Sequence, residues 1–271
     1  MTVIQAIVLG IVQGLTEFLP VSSSGHLVIV PKLFGWPAPS VTFDVLLHLA
    51  TLVAVCVYFA RELVVLGSAF VAPRRLPAAE VKAGRRLVLW IVVATIPAGL
   101  AGVLLGDFFE SLFSSTLAVG IFMILTAVLL TIADFVADRM TRVRVLSSMT
   151  LVDAVVIGLF EALAIAPGIS RSGATMSSGV YLGFGRESAA RFSFLISIPV
   201  ILAAGLLKVG SIASGASSGD LAAYVAGALA AFLSGLAAVS LLLRFLRTHR
   251  FRVFAVYCAV VGVLVIIFSL V

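Results

Sequence analysis

Leu19-Pro20-Val21-Ser22-Ser23-Ser24-Gly25 interrupts an apolar stretch over residues 1–34. Ala166-Pro167-Gly168-Ile169-Ser170-Arg171-Ser172-Gly173 interrupts a second over 150–184. On either side of each break the apolar piece is about 10–19 residues long, short of the ~20 needed to cross a bilayer. Non-helical backbone at membrane depth is tolerated only where it is buried in protein or lines a cavity. Each region therefore reads as a re-entrant helix–loop–helix hairpin.

Between and beyond the hairpins lie six longer apolar runs, at 41–60, 86–106, 116–137, 188–210, 220–243 and 252–271. Only 11% of the 271 residues are charged and 62% are hydrophobic, whereas a soluble domain is about a quarter charged. The excess apolar surface must face lipid. The expected fold is an all-α integral membrane protein with six transmembrane helices plus two re-entrant hairpins. Loop charge orders these elements. Segments 61–86, 138–149, 185–191 and 244–252 are rich in arginine, 107–115 carries only Asp107 and Glu110, and the Gly/Ser loop 209–219 carries no charge. Basic loops stay in the cytoplasm. Six spans and two hairpins satisfy every segment, with both termini outside, the first hairpin entering from outside and the second from the cytoplasm. The N-terminus lacks the basic region of a signal peptide. No basic stretch is interleaved with aromatics, which argues against nucleic acid. Cys56 and Cys258 sit singly in apolar runs and suggest packing.

At an offset of 148, Gly10 matches Gly158, Ser22 matches Ser170, Ser24 matches Ser172 and Gly25 matches Gly173, while Gln13 falls on Glu161. The chain then reads as a single membrane domain, 1–271, built from repeat one (1–137) and repeat two (150–271). Each repeat is a hairpin followed by three spans. Three is odd, so the second copy is inverted. Inverted repeats with broken helices tend to place a polar site near the midplane.

The polar groups within these segments are the candidate site. Gln13 and Glu17 are four residues apart and share a helix face. An ionisable residue at such depth costs about 2.5–3.5 kcal/mol on insertion scales and usually serves function. Ser22, Ser23, Ser24, Gly25 and His26 follow. In the second hairpin Gly168 and Gly173 permit close backbone approach. Arg171 offers a planar donor fork matched to phosphate, and Ser170, Ser172 and Thr175 add hydroxyls. The helix starting there presents free N–H groups to an anion. Asp44 and His48 could line an entrance. Asp134, Asp153 and Glu187 fall at interfaces and are expected to be solvated.

The stretch Gln13-Gly14-Leu15-Thr16-Glu17 running into Ser22-Ser23-Ser24-Gly25-His26, with Pro167-Gly168-Ile169-Ser170-Arg171-Ser172-Gly173-Ala174-Thr175, resembles the undecaprenyl-pyrophosphate phosphatase family, also called the bacitracin-resistance protein family. The resemblance covers essentially the whole chain. It implies hydrolysis of undecaprenyl diphosphate to the monophosphate at an outward-opening site in the bacterial cytoplasmic (inner) membrane, recycling the carrier for envelope polymers. A polyprenyl diphosphate substrate and surrounding membrane lipid are the expected partners, and a homodimer is compatible with the resemblance. The roles expected are catalytic for Glu17, Ser23, His26 and Arg171. Substrate binding falls to Ser22, Ser24, Gly168, Ser170, Ser172, Gly173 and Thr175. Glu17 and Gln13 would hold a divalent cation, Mg²⁺ or Ca²⁺. His26 would be the general acid/base and Ser23 a nucleophile activated by it, with direct attack by water as the competing route. Two rivals stand beside this. A transporter or lipid flippase shares the fold argument. An acid-phosphatase-like lipid phosphatase is suggested by Ser24-Gly25-His26, but that family has a second histidine after its Ser-Arg, and here Ser170-Arg171 is followed by Ser177 instead.

Overall fold

The computed structural model describes residues 1–208 and 221–270, so the uncharged loop 209–219 lies outside the described residues. Among these, twelve α-helices follow one another. They are α1 (Val3–Phe18), α2 (Ser23–Leu33), α3 (Val41–Tyr58), α4 (Ala60–Val71), α5 (Ala78–Leu104), α6 (Gly106–Leu112), α7 (Thr116–Ala137), α8 (Leu151–Leu163), α9 (Arg171–Tyr181), α10 (Arg186–Leu207), α11 (Leu221–Leu246) and α12 (Arg252–Leu270). Six of them, α3, α5, α7, α10, α11 and α12, are long and apolar enough to cross a membrane. The protein is an all-helical, multi-pass membrane protein.

Local chemistry sets the boundaries. Thr2 and Thr150 close capping boxes with Gln5 and Asp153, and Ser40 and Ser115 cap α3 and α7 through their hydroxyls. Each satisfies an amide that has no partner within the helix. Among the six shorter helices, α1, α2, α8 and α9 have 16, 11, 13 and 11 residues.

Close backbone approach decides two of the principal contacts. A Cβ on Gly10 would collide with the Gly227 carbonyl, so α1 lies directly on α11. A Cβ on Gly158 would collide with the Ala94 carbonyl, so α8 lies directly on α5. Small residues at such crossings are how helices associate where lipid removes the hydrophobic drive. A buried cluster including Phe18, Val55, Phe59, Leu130, Met176, Phe194, Val239 and Phe251 joins the helices of both halves of the chain.

Segment 61–86 departs from the loop expected there. It forms α4, and α5 begins at Ala78, eight residues before the predicted 86. The arginines disguise an amphipathic piece whose Leu66 and Ala69 are buried against Gly84 of α5, while the Arg85 Nε donates to the Ala69 carbonyl at 2.9 Å. The predicted loop 107–115 likewise contains α6.

The four basic segments meet at one end of the molecule. Arg191 pairs with Glu62 at 2.6 Å, Arg186 with Asp138 at 3.1 Å and Arg247 with Glu187 at 3.1 Å. Asp134 and Asp153 are buried, not solvated as their interfacial positions suggested. Asp134 accepts from Arg186 at 2.8 Å and from the Phe251 amide at 3.1 Å. Asp153 accepts from both terminal nitrogens of Arg144, at 2.9 and 2.6 Å, and Arg144 also donates to the Leu182 carbonyl at 2.8 Å. Those pairings tie segment 138–149 to α8 and α9, and they offset the desolvation that burial imposes. Glu187, half-buried, is paired as well.

Candidate active site

Both interrupted regions build the same local device. After α1, Leu19 turns extended and Ser22 adopts φ 72°, a left-handed conformation uncommon outside glycine. The Ser22 hydroxyl then accepts from the Gly25 amide at 3.2 Å and lies 3.3 Å from the Ser24 hydroxyl. After α8, Gly168 takes φ 102° where a Cβ would collide with the Val119 carbonyl. The Ser170 hydroxyl accepts from the Gly173 amide at 3.0 Å and lies 3.2 Å from the Ser172 hydroxyl. The two turns touch. Ser172 donates to the Leu19 carbonyl at 3.1 Å, and a Cβ on Gly25 would stand 3.5 Å from the Gly168 Cα. Thr126 of α7 steadies the second turn by accepting from the Ser170 amide at 3.0 Å and donating to the Gly168 carbonyl at 3.2 Å.

Where the turns meet, Glu17 is the hub. Its Oε1 accepts from the Arg171 guanidinium at 2.7 Å across 154 residues of sequence. Its Oε2 accepts from the Ser23 hydroxyl at 2.6 Å and the Gln13 amide at 3.1 Å, with His48 Nε2 3.7 Å away. Arg171 also donates to the Ser193 carbonyl at 3.2 Å. Side-chain exposure is 6% for Glu17 and 14% for Arg171, so the pair sits where water screens little and Coulomb forces are strong. The starts of α2 and α9 border the same spot. Two helix N-termini and a guanidinium converge there, an arrangement suited to a multiply charged anion.

Of the predicted residues, Gln13, Glu17, Ser23 and Arg171 form one hydrogen-bonded group. Ser22, Ser24, Gly168, Ser170, Ser172 and Gly173 shape the turns around it. Thr175 is differently occupied. Its hydroxyl donates to the Arg171 carbonyl at 2.8 Å and meets the Ser193 hydroxyl at 2.6 Å, which anchors α9 to α10. The expected pairing of Ser23 with His26 is not formed. Ser23 turns to Glu17, and His26 places Nδ1 2.7 Å from the Ser22 carbonyl and Nε2 2.7 Å from the Tyr257 hydroxyl. Thr126, Ser193 and Tyr257 were missed, because a single hydroxyl in an apolar helix says nothing of a partner far along the chain. His48, read as an entrance residue, reaches Glu17 itself, its Nδ1 lying 2.8 Å from the Asp44 carbonyl.

Six residues hold buried polar atoms without a hydrogen-bond partner among the described residues: Gln13 (Oε1), Asp44 (Oδ1), Trp90 (Nε1), Asp134 (Oδ2), Ser177 (Oγ) and Glu161, which has both carboxyl oxygens unpartnered. No cluster of three or more His, Cys, Asp or Glu suited to a metal occurs among the described residues. The Glu17 carboxylate and the unpartnered Gln13 Oε1 nonetheless fit a hard cation of the Mg²⁺ or Ca²⁺ type, which takes few protein oxygens when phosphate oxygens complete its shell.

The chain is similar to known proteins over nearly its whole length. Residues 6–264 match the family model described as bacitracin resistance protein BacA. The chain is 42% identical over 269 residues to the undecaprenyl-diphosphatase of Myxococcus xanthus, covering 98% of this chain and 89% of that one. It is 43% identical over 271 residues to the undecaprenyl-diphosphatase of Pelotomaculum thermopropionicum, covering 99% and 97%. It is 45% identical over 267 residues to that of Gemmatimonas aurantiaca, covering 98% and 97%.

Proposed function

The chain belongs to the bacitracin resistance protein BacA family, and from that premise we infer that it is an undecaprenyl-diphosphatase. It hydrolyses undecaprenyl diphosphate to undecaprenyl monophosphate and inorganic phosphate, which returns the lipid carrier to cell-envelope synthesis and confers bacitracin resistance. One observation carries the assignment of its site: the Glu17–Arg171 pair at 2.7 Å, held where two helix N-termini converge. A transporter would need no serine hydroxyl 2.6 Å from that carboxylate.

Phosphoryl transfer asks chiefly for positioning and charge neutralisation. Arg171 and the first amides of α2 and α9 hold the diphosphate. When the guanidinium turns to the phosphate it frees the Glu17 Oε1, while Oε2 keeps the Ser23 hydroxyl. Glu17 then accepts the proton of Ser23 as the serine oxygen attacks the terminal phosphorus and undecaprenyl monophosphate departs. Glu17 thus takes the role first assigned to His26 in activating Ser23. Water attacks the resulting phosphoserine, and His26 serves that proton exchange as acid/base. Glu17 and Gln13 would hold the divalent cation, which supplies charge neutralisation at the phosphate oxygens.

The architecture fits a finer reading. Residues 1–137 and 150–271 are two inverted copies, and the short helices α1–α2 and α8–α9 are their re-entrant hairpins. The matched serine caps support this, as does the reciprocal exchange in which α1 lies on α11 and α8 on α5, each the second span of the opposite half. The basic end lies in the cytoplasm of a bacterial inner membrane, both termini lie outside, and the site opens outward.

The test is phosphate release from undecaprenyl diphosphate by the purified protein in detergent, with and without EDTA, for wild type and Glu17→Ala. Release that needs both the cation and Glu17 is expected. Release indifferent to EDTA would remove the cation. No release from folded protein would remove the activity.

A further inference from the structure

α7 and α12 touch at Gly120 and Gly262, where a Cβ on Gly262 would stand 2.9 Å from the Gly120 carbonyl oxygen. Nearer the basic end a groove of about 600 Å³ lies between the two helices. Ala127 and Ala255 are buried in its floor and too small to fill it. Val128, Ile132, Phe135 and Val256 form its sides, each between 45% and 57% exposed. From Ile124 to Asp138 the groove follows about 21 Å of helix. One leaflet takes half of a hydrocarbon core ~30 Å thick. The groove therefore runs from near the midplane to the headgroup level of a single leaflet.

Arginines gather at its polar end. Arg250 and Arg252 line it, and the Arg139 guanidinium lies 3.2 Å from the centre of the Phe135 ring. Two acids stand there as well, but both are taken. Asp134 and Asp138 share Arg186, and Asp138 also pairs with Arg250 at 3.1 Å. Four guanidiniums thus meet two carboxylates. Arg252, exposed at the first position of α12, has no ion pair or side-chain hydrogen bond among the described residues.

We propose that this groove is a binding site for an anionic phospholipid of the leaflet at the basic end, the cytoplasmic one in the orientation given above. The lipid phosphate meets Arg252 and Arg250, and one acyl chain lies between α7 and α12. Basic pockets between membrane helices hold anionic headgroups in this way. The depth of the groove matches an acyl chain, whereas an undecaprenyl chain is far too long for it. A second copy of the chain docked here about a two-fold axis would bring the same surplus cations against each other.

The test uses the full-length protein in nanodiscs of phosphatidylcholine with a minor fraction of phosphatidylglycerol that carries a photoreactive diazirine on one acyl chain. Peptide mapping after illumination is expected to find label on 124–135 and 252–264 in preference to the other spans. Arg252→Gln should lower that labelling about fivefold, the effect of one arginine beside an anionic headgroup. Arg252→Lys, which keeps the charge, should lower it less than twofold. Arg252 holds no partner, so neither change strands an acid. Equal labelling by a phosphatidylcholine carrying the same diazirine chain would overturn the proposal, as would labelling indifferent to Arg252→Gln. Loss of the label to added undecaprenyl monophosphate would give the groove to the carrier lipid instead. Loss of the label as the protein self-associates, read by cross-linking through cysteines at Val128 and Val256, would give it to a second copy. None of these readouts depends on phosphate release.

Discussion

Glu17 accepts from three side chains at once, and the most demanding of them is Arg171, whose planar fork cannot be copied by an ammonium. A hydrogen bond to a charged group contributes about 1.5–3 kcal/mol, which is roughly a 10- to 150-fold effect on rate. Arg171→Lys keeps the charge and loses the fork, so its kcat/KM for undecaprenyl diphosphate is expected to drop by about that factor. Turnover within twofold of wild type would show that charge alone suffices. Much of this chemistry was legible beforehand, because carboxylate, guanidinium and serine-rich turns are conspicuous against a 62% hydrophobic background. What was not legible was pairing. Ser23 sits three residues from His26 yet bonds to Glu17, because the left-handed turn at Ser22 redirects it. Tyr257, 231 residues from His26, is one aromatic among many until the helices pack.

At the scale of elements, short helices are set by backbone contact as much as by their apolar faces. Gly10 and Gly158 each face a carbonyl of another helix, whereas a Cβ at Gly67 of α4 would meet nothing within 4 Å. Gly10→Ala and Gly158→Ala are each expected to destabilise by about 1–3 kcal/mol, the usual effect of overpacking. Gly67→Ala should be neutral or slightly stabilising through helix propensity. Thermal unfolding in detergent would order the three, and a Gly67→Ala protein as weak as the other two would contradict the contact argument. The six spans were readable because apolar length is a strong signal. α4 was not, because the arginines of segment 61–86 accompany an apolar stripe that only packing against Gly84 makes evident.

Taken whole, the molecule gathers its basic segments at one end through the Arg191–Glu62, Arg186–Asp138 and Arg247–Glu187 pairs. Single cysteines placed at Arg74 and Arg142, with Cys56 and Cys258 replaced, should react with an impermeant thiol reagent only from the cytoplasmic side of oriented vesicles. A cysteine at Glu110 should react only from the other. The reverse pattern would invert the assignment. The crossed seating of α1 on α11 and α8 on α5 also bears on synthesis. A ribosome delivers Glu17 long before Arg171, and α1 lacks its principal partner until α11 emerges. The first half must therefore wait in the bilayer with an unmatched carboxylate, and a chain released early could not assemble the reactive centre. Two separately expressed halves, cut between 137 and 150, would by the same logic find each other and close that centre between them.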